Sequence, residues 1–211
     1  MIITELKPQR GHLLCASFDN GKTVLFDKDF ALENGIREGG ELSDKELTEY
    51  IGQSEYRRAM SRAVWYIERG SLSRKKLLEK LLKAGIMSGA CHKAVLRMQE
   101  LDLINDEAFA ERLAEQYLTS GISVREAEAK MFQKGIDRAI AKAALDMFEV
   151  DATAQIKLLI HKKYRSKLQN ADNVPKVFAA LQRKGFKYSD IKKVLSEYSE
   201  QLNNSEEDYG V

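Results

Sequence analysis

Few residues of this sequence combine the type and the spacing that catalysis or metal binding requires. Its histidines, His12, His92 and His161, lie in unrelated segments, and Cys91 beside His92 is its nearest approach to a ligand pair. Neighbouring residues of a helix point about 100° apart, and a structural zinc site needs about four ligands. We therefore expect a buried cysteine beside an exposed histidine, and no metal site.

Two adjacent acids, Asp106 and Glu107, could in principle share proton-transfer work. They precede an apolar helical stripe, however, and acids in a first helical turn interact favourably with the helix dipole. The sequence also contains no phosphate-binding loop, no GxSxG or HExxH motif and no dinucleotide fingerprint. We expect a protein without enzymatic activity and without a cofactor.

The basic residues offer a different chemistry, because they form groups that could neutralise phosphates or contact an acidic protein surface. Lys76, Lys80 and Lys83 recur at positions i, i+4 and i+7 and so share one face of a helix. Solvation also explains many such side chains, since their stems often cover apolar seams. The candidate binding residues are Arg57, Arg58, Arg62, Arg69, Arg74, Lys75, Lys76, Lys80, Lys83, Lys162, Lys163, Arg165, Lys167, Lys192 and Lys193.

The elements that position these residues follow an internal repeat. Gly85, Gly135 and Gly185 stand fifty residues apart, and each follows an amphipathic stretch that a glycine can end. The 44% hydrophobic and 31% charged content, with only two prolines, favours a mostly helical chain. We predict an elongated, curved tandem array of three three-helix repeats, preceded by a small β-rich module.

The predicted modules differ in charge. Residues 1–56 carry six basic and eleven acidic side chains, residues 57–105 eleven and four, residues 106–150 six and nine, and residues 151–200 eleven and five, while an acidic, flexible tail is expected over 201–211. Two basic repeats therefore flank an acidic one. Such alternation suits either a polyanion or a protein polymer on nucleic acid, although ordinary solvated faces are the simpler interpretation.

The first module should contain a hairpin and a short helix. Asn20-Gly21 between apolar runs predicts a type I′ turn, in which both residues have positive φ. A further strand is expected over 36–42. Ser43 and Glu46 match a capping box that opens a short helix, which Gly52 is expected to end. Ser123 and Glu126 match a second capping box in the middle repeat.

The last two helices of each repeat could pass for a helix-turn-helix, but the third helices of the first two repeats lack the dense face of arginine, asparagine or glutamine that base readout requires. Trp65 lies beside an apolar stripe and is expected to pack rather than to stack on bases.

Cys15 and Cys91 show no pairing pattern, and no stretch approaches the ~20 apolar residues of a membrane span. We expect a cytoplasmic protein without membrane contact.

Two stretches carry a resemblance to a known family. Residues 73–85 read SRKKLLEKLLKAG and residues 103–110 read LINDEAFA, and the later Gln133-Lys134-Gly135-Ile136 fits the next repeat. Over about residues 57–200 the chain resembles the bacterial RecX family of recombinase regulators. It departs from the family at Lys76, where an acidic residue is common.

The resemblance implies a non-enzymatic regulator in homologous recombination, DNA repair and the SOS response. It implies binding to the RecA recombinase, chiefly to its filament on single-stranded DNA, and inhibition of strand exchange, ATP hydrolysis and coprotease activity. We expect a monomer that contacts the filament and also the DNA backbone. An independent nucleic-acid-binding module without a recombinase partner is the alternative, as is a general helical scaffold.

Overall fold

The computed structural model confirms a mostly helical chain with a small N-terminal sheet. It describes the backbone of residues 1–207 and the side chains of residues 1–199. The chain divides into two compact units, Met1–Asn105 and a second that begins at Asp106. Each unit has its own hydrophobic clusters and is described by itself.

Three antiparallel strands in sequence order form the N-terminal sheet: β1 (Ile3–Gln9), β2 (Leu13–Phe18) and β3 (Thr23–Asp27). The hairpin at Asn20-Gly21 is confirmed, but its predicted type I′ turn is wrong. Gly21 has a positive φ of 79°, whereas Asn20 does not. The loop has three residues and is closed by two hydrogen bonds. The Gly21 N–H donates to the Phe18 carbonyl, and the Phe18 N–H donates to the Lys22 carbonyl. In such a loop only the last residue needs a left-handed backbone.

The strand expected over 36–42 does not form. Only Glu41 makes an isolated bridge, to Ile2, and Gly39 takes a positive φ of 77° so that its N–H reaches the Ile3 carbonyl. The two glycines, Gly39 and Gly40, bend the chain into a turn against the first strand. Backbone freedom without side chains to pack therefore disfavoured a strand here.

Helices α1 (Lys28–Glu33) and α2 (Asp44–Ile67) follow the sheet. The capping box of Ser43 and Glu46 is confirmed, but Gly52 does not end the helix that it opens. Helix α2 continues for 24 residues because it serves two cores: Leu47 packs among the sheet residues, and Ala59 and Ala63 pack in the first repeat. Burial at both ends offsets the roughly 1 kcal/mol that a glycine costs inside a helix.

The first repeat is completed by α3 (Arg74–Lys83) and α4 (Ser88–Glu100). Ser73 caps α3 by accepting a hydrogen bond from the Lys76 N–H, and Gly85, with φ 73°, stands just past its end. Leu77 and Leu81 of α3 are fully buried against α4. These contacts set the orientation of α3, in which Lys80 and Lys83 are exposed to solvent.

The second repeat comprises α5 (Asp106–Thr119), α6 (Val124–Gln133) and α7 (Arg138–Asp146). Only half of the capping box predicted at Ser123 forms. The Ser123 hydroxyl accepts from the Glu126 N–H and donates to the carbonyl of Lys184, in the third repeat. The Glu126 carboxylate turns instead toward the ammonium groups of Lys130 and Lys184, at 3.4 and 3.7 Å.

The third repeat comprises α8 (Ala152–Leu159), a π-helical turn (Ile160–Tyr164), a 3₁₀ turn (Ala171–Asn173), α9 (Val174–Arg183) and α10 (Tyr188–Glu207). Helix α10 overlaps the start of the segment 201–211 that the sequence predicts as a tail; residues 208–211 lie outside the described residues. Within the described part of the chain, no helix has the length and apolar character that crossing a bilayer requires.

Candidate functional site

The predicted binding residues of the first unit lie along α2 and α3, but the structure assigns them different surroundings. Arg57 is bound within the chain: its guanidinium donates to the Glu33 carboxylate at 3.0 Å and lies 3.4 Å from Asp27. The hydrogen bond to Glu33 raises the pKa of Arg57 above its ordinary value. These contacts tie α2 to the N-terminal module.

Arg58 likewise has an internal partner. It forms an ion pair with Glu55, whose side chain is buried and whose other oxygen accepts a hydrogen bond from the Met87 N–H at 2.8 Å. The Arg58 side chain is itself largely buried. Its charge therefore compensates a buried acid, a structural role that no sequence pattern indicates.

Helix α2 carries a different arrangement near its end. Arg62, Trp65 and Tyr66 stand at i, i+3 and i+4 on one side of α2, and Arg69 follows in the turn just past the end of the helix. Trp65, expected to pack beside the apolar stripe, lies outside the core cluster of the repeat, and 41% of this residue is exposed. The guanidinium of Arg69 lies over its ring instead, 3.6 Å from the centroid.

Helix α3 carries the predicted lysine stripe next to this face. Lys80 links the two helices, since its ammonium lies 4.8 Å from the centre of the Tyr66 ring. Lys76 pairs with Glu79 at 2.8 Å, and this hydrogen bond lowers the pKa of Glu79. Lys83 is exposed at the end of the helix, and Arg74 and Lys75 are exposed in its first turn.

The structure thus brings one subset of the predicted residues together. We call this set the basic-aromatic surface, defined as Arg62, Trp65, Tyr66, Arg69, Lys76, Lys80 and Lys83. The spacing of Lys76, Lys80 and Lys83 predicted the α3 part of this surface. The aromatic part was missed, although its i, i+3, i+4, i+7 spacing is visible in the sequence.

In the second unit the predicted residues are exposed but spread over several elements. Lys162 and Lys163 belong to the π-helical turn, Arg165 and Lys167 follow it, and Lys192 with Lys193 lies on α10. Arg165 also lines a groove of about 830 Å³ between α8, the π-helical turn and α10. On one wall of that groove Lys157 and Glu197 form an ion pair at 2.8 Å, which lowers the pKa of Glu197.

Cys91 and His92 have the surroundings expected of a buried cysteine beside an exposed histidine. Cys91 is fully buried, and burial raises the pKa of its thiol, whereas His92 is exposed. Among the described side chains, no three histidine, cysteine or acidic residues gather closely enough to hold a metal ion. Asp106 is buried at the start of α5, in the first turn as expected.

No protein-family model matches the sequence. Curated relatives named regulatory protein RecX do match most of it. The chain is 28% identical over 202 residues to the protein of Caldanaerobacter subterraneus subsp. tengcongensis, and the aligned residues cover 93% of this chain and 99% of the relative. It is 26% identical over 182 residues to the protein of Clostridium tetani, with 82% of each chain covered.

Solved structures agree in fold. A crystal structure of regulatory protein RecX covers 92% of this chain and 98% of its own, with a TM-score of 0.64 at 20% identity. A second structure, of RecX from Lactobacillus salivarius, covers 68% of this chain and 96% of its own, with a TM-score of 0.60 at 24% identity. Proteins named regulatory protein RecX thus match this chain over nearly its whole length and solved RecX structures share its fold, and both findings support membership of the RecX family.

Proposed function

We propose that this chain binds the RecA recombinase, chiefly as a filament on single-stranded DNA, and inhibits its strand-exchange, ATPase and coprotease activities. The regulatory relatives support this role over nearly the full length of the chain. Regulation proceeds by binding, without catalysis by the chain itself. The protein acts as a monomer in the cytoplasm, and its two free cysteines, Cys15 and Cys91, suit such a reducing compartment.

The observation that carries the proposal furthest is the basic-aromatic surface. A filament of recombinase on DNA carries the phosphates of the strand, and exposed cations steer association with such a polyanion. Lys80 and Lys83 are exposed on α3, whose Leu77 and Leu81 are fully buried in the core of the repeat. Because these leucines anchor α3 in the core, the two cations are held on a fixed helix.

Charge reversal tests the proposal. A variant with Lys76→Glu, Lys80→Glu and Lys83→Glu should need at least about tenfold more protein for half-inhibition of recombinase ATPase, because three attractive contacts become repulsive. Lys22→Glu, Lys45→Glu and Lys142→Glu make a matched control with the same change in charge at exposed positions elsewhere. Full inhibition by a folded Lys76/Lys80/Lys83 variant would remove this surface from the regulatory site.

The exposed tryptophan among arginines specifically favours the alternative of a nucleic-acid-binding module without a recombinase partner. Titration with salt separates the two functions, since phosphate contacts weaken steeply as counterions are added. Strong, salt-sensitive binding to single-stranded DNA with no change in recombinase ATPase supports the alternative. Inhibition of the ATPase supports the regulator.

A further inference from the structure

The end of α2 presents an aromatic ring held between cations. The Arg69 guanidinium lies 3.6 Å from the centre of the Trp65 ring, and that of Arg62 lies 5.4 Å from it. The ring of Tyr66 meets the indole edge to face, with centroids 5.1 Å apart. A distance of 3.6 Å is van der Waals contact, so the Arg69 side chain rests directly on the indole face.

Trp65 does not belong to the hydrophobic core of the first repeat. The core of the repeat is built from smaller residues of α2, such as Ala59 and Ala63, and Trp65 is absent from the residues that pack against it. The Arg69 side chain is held in place by a second contact, since its Nη1 donates to the Trp65 carbonyl at 3.0 Å. A large aromatic surface therefore stays accessible to solvent in a preformed arrangement.

The charge around this ring is positive. Lys80 of α3 approaches the neighbouring Tyr66 ring, and residues 57–105 carry eleven basic against four acidic side chains. An apolar protein surface would gain little from these cations, whereas a polynucleotide would gain from both features. Base stacking on an aromatic ring together with neutralisation of phosphates is the usual means by which proteins hold a single strand.

We propose that Arg62, Trp65 and Arg69 form a stacking site for a base of single-stranded nucleic acid, with Lys80 placed to neutralise a neighbouring phosphate. A base stacks either on the indole or on the outer plane of the guanidinium that covers it. Bases of a duplex are already stacked on one another, so the site prefers single strands. This inference deepens the proposed function by naming a DNA contact on the same surface, but its test needs no recombinase.

Trp65 is the only tryptophan of the chain, so its fluorescence reports on this site alone. The protein by itself is titrated with a short oligothymidylate and with an abasic oligomer that has the same number of phosphates. We expect the oligothymidylate to quench the fluorescence and the abasic oligomer to leave it nearly unchanged, because only the first offers bases to stack.

Variants extend the test by anisotropy of the labelled oligomer. Trp65→Ala should weaken binding by about tenfold, as expected for the loss of one stacked base, and Trp65→Phe should retain most of the affinity. Tyr188→Ala is the matched control, since Tyr188 is a 61% exposed aromatic residue of the second unit. Circular dichroism checks that each variant is folded.

Equal quenching by the abasic oligomer, or wild-type affinity of Trp65→Ala, would overturn the stacking site and leave contact with the backbone only. Trp65→Ala that binds the oligomer normally but no longer inhibits recombinase would also overturn it, because the ring would then contact protein. A chain that binds the oligomer through Trp65 but leaves recombinase ATPase unchanged supports this inference while refuting the proposed function.

Discussion

The carboxylate of Glu55 in α2 accepts a hydrogen bond from the backbone N–H of Met87, 2.8 Å away at the start of α4. Met87 occupies the N-cap position and provides no side-chain cap. A buried acid from another helix thus satisfies one of the amides that the first helical turn leaves unpaired. Arg58 completes the arrangement by pairing with the same carboxylate.

Replacing Glu55 should therefore destabilise the first unit. We expect Glu55→Ala to lower the free energy of unfolding by about 2–4 kcal/mol, because it leaves Arg58 without its partner and the amide of Met87 uncapped. Glu55→Gln, which can still accept the hydrogen bond, should cost less. Urea denaturation measures both, with exposed Glu49→Ala on the same helix as control. Wild-type stability of Glu55→Ala would contradict this role.

Cys91 should be protected from alkylation in the folded protein. It is fully buried in the core of the first repeat, and burial raises the pKa of its thiol, so little of the reactive thiolate is present. Iodoacetamide at mildly alkaline pH should modify the half-buried Cys15 first. Cys91 should follow only in urea, as mass spectrometry of peptides can show. Equal rates for both thiols in native buffer would argue against the core of this repeat.

The repeated glycines should differ in their tolerance of a side chain. Gly85 and Gly185 both have positive φ, 73° and 89°, so alanine at either position strains the backbone by about 1–2 kcal/mol. A Cβ at Gly185 would also lie 2.9 Å from the Cβ of Arg125, whereas a Cβ at Gly85 meets nothing within 4 Å. Gly185→Ala should therefore cost more than Gly85→Ala.

Gly52 provides the opposite control for this series. It lies inside α2 in open space and without positive φ, so Gly52→Ala should stabilise the protein by roughly 0.5–1 kcal/mol. Thermal unfolding of the three variants under identical conditions gives the order. If Gly85→Ala proved as costly as Gly185→Ala, the contact with Arg125 would have no energetic weight.

The capping box of α2 should weaken in acid. Hydrogen bonds from the Ser43 hydroxyl and backbone N–H hold the pKa of Glu46 below its ordinary value. A carboxyl whose pKa is lower in the folded state stabilises that state above its unfolded pKa, and this stabilisation is lost as the pH falls through the folded pKa. The stability difference between wild type and Ser43→Ala should thus narrow with acidification.

Carboxyl ¹³C chemical shifts test this directly by following Glu46 through the titration. In wild type its midpoint should lie below the ordinary value for glutamate, and in Ser43→Ala it should move upward. A midpoint that Ser43→Ala leaves in place would show that the capping box does not set this pKa.

Local signals in the sequence predicted much of the fold, because they act over a few residues. The caps at Ser43 and Ser73 and the helix end at Gly85 need only their neighbours to form. The helix end predicted at Gly52 was wrong because α2 is buried on both sides of this glycine by the sheet and by α4, both distant in sequence. Ser123 forms half a capping box for the same reason, since its hydroxyl donates to Lys184.

The surroundings of the binding residues were less predictable. Arg57 looked like a cation available to a partner, but Glu33 and Asp27, which lie 24 and 30 residues before it in sequence, bind it in the fold. Conversely, the exposure of Trp65 depends on how closely α2 packs on its neighbours, which periodicity alone does not determine. The lysines of α3 could thus be predicted as a set from the sequence. Their proximity to Trp65 is visible only in the fold, where Lys80 lies over the Tyr66 ring and Tyr66 contacts Trp65.

The most direct test of the regulatory function is the ATPase rate of RecA recombinase on single-stranded DNA, with this chain added below stoichiometric amounts. The proposal predicts that the ATPase rate of preformed filaments, at constant DNA concentration, falls as the chain is added. An unchanged rate at saturating chain, with the protein folded and the recombinase active, would contradict it.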